Sequence, residues 1–69
     1  MDPELTKIVK YVRSSVQSNP PVDAGTRLQL ELLRSGRQDE WTESEILEAA
    51  KAVGVADPVA FLDDFASWL

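Results

Sequence analysis

Four stretches of this chain space their apolar residues three and four apart, and each is bracketed by residues that start or stop helices. In the first, Leu5, Ile8, Val9, Val12 and Val16 fall on one stripe of an α-helix. Asp2-Pro3 stands ahead of them: an aspartate accepts from the free N–H groups of a first turn, and a proline there lacks only an N–H that would have no helical partner. Glu4 adds negative charge at the positive end of the helix dipole. Asn19-Pro20-Pro21 closes the pattern, because the residue before a proline is pushed away from helical backbone. The spacing predicts a helix over about residues 3 to 18, with Lys7, Lys10, Arg13, Ser14 and Gln17 on its solvated side.

The second stretch opens at Asp23 or Thr26, either of which can cap, and ends at Gly36, a residue that tolerates left-handed backbone beyond a helix end. A helix over 24–35 carries Leu28, Leu30, Leu32 and Leu33 around more than half its circumference, which is wider than a stripe packed on one side. Such a helix is either central or has a second apolar contact. Leu30, flanked in projection by Arg27 and Arg34, is the leucine expected to point away from the core.

Trp41-Thr42-Glu43-Ser44-Glu45-Ile46 is the clearest local pattern. Thr42 and Glu45 fit a capping box, and Trp41 and Ile46 fit the hydrophobic staple around it. The third helix, 43–53, has Ile46, Leu47, Ala50 and Val53 as its expected inner face and Ala49 at the edge of that face. Glu45, Glu48 and Ala52 are expected outside, with Lys51 beside them. Gly54 stops the helix, and Val55 is placed for the apolar contact of a Schellman closure. Asp57-Pro58 repeats the opening of the first helix. Phe61, Leu62, Phe65, Trp68 and Leu69 then form the apolar side of a fourth helix, 58–68, with Asp63, Asp64 and Ser67 facing outward.

Four short helices joined by connections of about four to seven residues predict an all-α fold: one compact domain, 1–69, of antiparallel or crossed neighbours. The length of 69 residues holds one small core and no second domain. The chain has no cysteine and no histidine, which removes disulfides, zinc sites of the usual kind and imidazole or thiol catalysis. No apolar run reaches the roughly 20 residues that span a bilayer, and the N-terminus lacks a positive-then-apolar secretory pattern. A cytoplasmic, intracellular location is the expectation.

Charge is unevenly distributed. Residues 1–37 carry six basic and four acidic side chains, whereas residues 38–69 carry Lys51 against eight acids, and the whole chain has a net charge of −5. Separation of this kind creates a directed field that steers a partner or aligns two copies, although solvated, solubilising faces are the plain alternative.

From Ile46 to Leu62 the pattern resembles a helix-turn-helix unit, with small Ala50 in the first helix, Gly54 at the turn and Val55 after it. The resemblance implies a second helix that enters the major groove. Here that helix, Pro58-Val59-Ala60-Phe61-Leu62-Asp63-Asp64, contains no Lys, Arg, Gln or Asn, so DNA should repel it and any DNA binding would fall to the basic side of the first helix. The ending Ala60 to Leu69, small residues followed by Trp68-Leu69, resembles a ubiquitin-associated three-helix module. The Met-Gly-aromatic loop of that family has no counterpart, and Ser35-Gly36-Arg37 stands in its approximate place.

Paired carboxylates occur at Asp39-Glu40, at Glu45 with Glu48, and at Asp63-Asp64. Adjacent helical residues diverge by about 100°, so Asp63 and Asp64 do not converge on one ion. Glu45 and Glu48 share an exposed face, and Asp39-Glu40 lacks the ligand spacing of a calcium loop. The serines have no activating partner, and Gly25, Gly36 and Gly54 are too scattered for a phosphate loop. No enzyme activity, metal or cofactor is expected. Tyr11 lies off the apolar stripe beside Lys7, placed either as an interface aromatic or as cover for the edge of helix 2 or helix 4.

The reading that follows is a non-enzymatic protein-interaction or regulatory module. Its partner is another protein or a second copy in a homodimer, and its expected contacts are Tyr11, Arg27, Leu30, Arg34 and Trp68. The alternatives are a small helix-turn-helix-like DNA-binding regulator acting through Lys7, Lys10 and Arg13, and an acidic decoy. The decoy would present Glu43, Glu45, Glu48, Asp63 and Asp64 to a basic nucleic-acid-binding protein.

Overall fold

In the computed structural model, which describes residues 2–18 and 23–67, four helices run in the expected order: α1 (Pro3–Ser18), α2 (Ala24–Ser35), α3 (Glu43–Val53) and α4 (Pro58–Ala66). No strand occurs among the described residues. The expected end of the fourth helix differs: regular helix stops at Ala66, and Trp68 and Leu69 lie outside the described residues. The radius of gyration, 10.7 Å, matches the roughly 11 Å of a single globule of this length.

Each helix begins on the side chain the sequence supplies. The Glu4 N–H donates to the Asp2 carboxylate at 2.8 Å, the Thr26 N–H to Asp23 at 3.0 Å, and the Ala60 N–H to Asp57 at 3.1 Å. Asp23, rather than Thr26, therefore caps α2. At α3 the capping box is complete: the Glu45 N–H donates to the Thr42 hydroxyl at 3.2 Å and the Thr42 N–H to the Glu45 carboxylate at 3.1 Å.

The stops are equally local. Gly54 adopts φ +90°, its N–H reaches the Lys51 carbonyl, and the Val55 N–H reaches back to the Ala50 carbonyl at 3.0 Å, closing a Schellman motif with Val55 against the core. At α2 the second of these bonds is replaced by a side chain. The Ser35 hydroxyl donates to the Leu32 carbonyl at 2.6 Å and accepts from the Arg37 N–H at 3.3 Å.

The core consists of Leu5, Val9 and Val12 of α1, Leu28 and Leu32 of α2, Trp41, Ile46, Ala49, Ala50 and Val53 of α3 and its approach, and Phe61 and Phe65 of α4. The two phenylalanine rings stack one turn apart at 6.2 Å. The central helix is α3, not α2: it meets all three others, while α1 packs on α2 and α3 and α4 rests mainly on α3.

That placement corrects the expected face of α3, while α2 turns outward the expected one. Ala49, expected at an edge, is fully buried, and Leu47, expected inside, is only half-buried. A helix with neighbours on several sides buries a wider arc, and two adjacent alanines allow them close. On α2, Leu28 and Leu32 enter the core, Leu33 is half-buried, and Leu30 points to solvent.

Between α2 and α4 lies an open groove of about 340 Å³, lined by Asp23, Gly25, Thr26, Gln29 and, across from them, Val55, Asp57, Ala60, Phe61 and Asp64. At its floor Gly25 is buried, and a Cβ there would stand 3.6 Å from both Phe61 and Val55.

Candidate functional site

The apolar surface left outside the core is specific. Among the described residues, the large hydrophobic side chains that remain exposed are Tyr11 at 51%, Leu30 at 49% and Val59 at 61%. Tyr11 stands where α1 lies beside α2, and Leu30 is on the outward side of α2, one turn beyond Arg27. Arg27 joins them: its guanidinium reaches across the helix pair to the Ser15 hydroxyl at 3.1 and 2.7 Å and lies over the Tyr11 ring, 5.6 Å from its centroid. Tyr11 thus covers the Arg27 side of α2 while keeping half its surface in water.

Leu30 follows Arg27 by three residues and precedes Arg34 by four, which puts all three on one stripe. Beside that stripe Thr26, Gln29, Leu30 and Leu33 line a shallow, largely apolar depression of about 260 Å³. Arg34 is 75% exposed and makes a 3.4 Å ion pair with Glu31, a single-turn contact of little strength. Lys7, Lys10 and Arg13 are exposed on α1, and no ion pair among the described residues involves them. The structure therefore gathers Tyr11, Arg27, Leu30 and Arg34 on one basic, partly apolar face. Trp68, expected to join them, lies outside the described residues.

The acidic side chains divide into two groups. Glu48, Asp63 and Asp64 are exposed, and Glu48 pairs with Lys51 at 3.7 Å. Glu45 is not free to join them. It is half-buried, and its carboxylate accepts both the Thr42 N–H and, at 3.1 Å, the backbone N–H of Asp2. These two bonds, with Thr42 the larger effect, hold the Glu45 carboxyl below its ordinary pKa. On α4, the outward strip is Val59, Asp63 and Ala66, so the helix that would enter DNA in a helix-turn-helix unit shows solvent no cation.

Arg37 forms a cluster that the sequence pattern does not announce. Its guanidinium bonds to Asp2 at 3.0 Å, to Glu4 through Nη1, and to Glu40 at 2.6 Å, and it lies over the Trp41 ring at 5.9 Å. These bonds, those to Glu4 and Glu40 foremost, raise the arginine's pKa further. The Glu4 N–H, and after it Arg37, hold the Asp2 carboxyl below its ordinary value. The sequence signal was only the composition Arg37-Gln38-Asp39-Glu40-Trp41 in a loop, because the partners are 33 and 35 residues away.

The cluster also explains the electrostatics of the candidate face. Asp2 and Glu4, two of the four acids in residues 1–37, are paired with Arg37 at the start of α1, and among the described residues no ion pair involves Lys7, Lys10, Arg13 or Arg27. No group of three or more potential metal ligands gathers among the described residues, and no helix there is long and apolar enough to cross a membrane. Comparison with protein-family models, with curated proteins and with solved structures gives no match for this chain.

Proposed function

We propose that the chain is a non-enzymatic protein-interaction module of the cytoplasm that presents the α1–α2 face to another protein chain. One observation carries this reading: a half-exposed tyrosine and a half-exposed leucine stand on one surface joined by Arg27 and flanked by Arg34, while the rest of α2's leucines are at least half-buried. Aromatic and arginine anchors of this kind concentrate binding energy at protein interfaces. In a domain with so small a core, a leucine kept opposite the core contributes little to folding.

The test is capture from the native lysate on the immobilised chain, with Leu30→Asp and Glu48→Gln as paired variants. A partner retained by the wild type and by Glu48→Gln but released by Leu30→Asp supports the face. Equal retention by all three, or none by any, overturns it.

A second reading rests on the Lys7, Lys10 and Arg13 stripe, which has no ion pair among the described residues and would suit a polyanion. It requires DNA retention that falls steeply with salt and disappears when the three are replaced by glutamine. Absence of retention at low salt ends it.

A further inference from the structure

Two apolar outcrops of opposite charge occur on this one molecule. The first is Leu30 between Arg27 and Arg34 on α2. The second is Val59 on α4, the most exposed of the large hydrophobic side chains described, with Asp63 one turn on and Ala66 beyond it, whereas Asp64 turns about 100° away to line the α2–α4 groove. Both strips run over eight residues of helix, Arg27 to Arg34 and Val59 to Ala66, so they have the same length of about 10 Å.

Asp63 takes part in no ion pair among the described residues, and Arg34, although it pairs with Glu31, keeps 75% of its side chain exposed. Like-to-like pairing is opposed. Two Leu30 faces would bring Arg27 and Arg34 of each copy together, and two Val59 faces would set one Asp63 against the other.

We infer that the occupant of the Leu30 strip is a second copy of this chain, docked head to tail through the Val59–Asp63–Ala66 strip of its α4. Leu30 then packs on Val59 and Ala66, while the arginines on either side of it face Asp63. The interface is heterologous, so an open assembly keeps one unused Leu30 strip at one end and one unused Val59 strip at the other, and it grows as a chain or closes into a ring. This deepens the proposed function by naming the partner, and it rests on the same α2 surface.

Sedimentation of the wild type up to about 1 mM, at low and at high salt, is the first arm of the test. Average mass should rise with concentration past that of a dimer, and the apparent affinity should fall about tenfold between roughly 0.02 and 0.5 M salt. The second arm uses Leu30→Asp and Val59→Lys. Each alone is monomeric, but the first keeps an intact α4 strip and the second an intact α2 strip, so an equimolar mixture forms a one-to-one dimer and nothing larger.

If circular dichroism shows either variant unfolded, the charge swap replaces it. Arg34→Glu and Asp63→Arg each weaken assembly, and the double variant restores it. A wild type that stays monomeric throughout overturns the self-association and leaves the lysate experiment to judge the interaction module alone. Assembly that survives in either single variant, or a mixture that stays monomeric, overturns the head-to-tail pairing.

Discussion

The Arg37 guanidinium covers the Trp41 indole at 5.9 Å while its nitrogens hold Asp2, Glu4 and Glu40, so a single loop side chain ties the start of α1 to the approach of α3. A planar fork can serve several carboxylates and stack at once, which an ammonium cannot. Replacing Arg37 with methionine should lower the melting temperature by several degrees and shift Trp41 fluorescence. Arg37→Lys should fall between the two. A melting curve unchanged by Arg37→Met would show the cluster to be ornamental.

Acid should loosen the same region. Asp2 and Glu45 have folded-state pKa values below their ordinary ones, so their stabilising effect is complete above the unfolded values near pH 4 and is lost as pH falls through the lower folded ones. Thermal melts should therefore be flat from neutrality to about pH 5 and decline below about pH 4. In Glu45→Gln the decline should be shallower, because one of the two depressed groups no longer titrates.

Thr42→Ala removes the oxygen that accepts the Glu45 N–H and should cost about 1 kcal/mol in urea unfolding. Adding Glu45→Ala should cost less than the sum of the two single changes, since both act in one reciprocal cap.

Leu28 and Leu30 lie on the same helix at opposite ends of the exposure scale, 0% and 49%. Truncating Leu28 to alanine should destabilise by about 2–5 kcal/mol, and truncating Leu30 by less than about 0.5 kcal/mol. Comparable losses at both positions in chemical denaturation would place Leu30 in the folding core and remove it from the interaction face.

Gly54 holds φ +90° with nothing within 4 Å of where a Cβ would stand, so Gly54→Ala isolates backbone strain from crowding. The expected loss is about 1–2 kcal/mol, measured by equilibrium unfolding.

The helices were legible because their determinants are local. Asp2-Pro3, Thr42 with Glu45, Gly54 and Asp57-Pro58 act within one turn of the residues they govern, and the same holds for Leu30, whose flanking arginines mark the outward side of α2. What the pattern did not show depends on neighbours distant in sequence. Ala49 is buried because α3 is packed on several sides, a fact absent from its own periodicity. Glu45 looked like part of an outer acidic face because the Asp2 N–H that reaches it is 43 residues away. Arg37 resembled any solvated loop cation, and Val59, which lies off the apolar side of the fourth helix, owes its exposure to the absence of a neighbour that its own spacing does not reveal.

The opening turns of α2 and α4 line one trough, with buried Gly25 at its floor. Two backbone ends of like partial charge consequently sit side by side, and Asp23 and Asp57 act as the counterions that make this neighbourhood tolerable. Part of the chain's surplus of acid is therefore structural mortar. Removing both carboxylates would set the two amide ends against each other and pry the trough open.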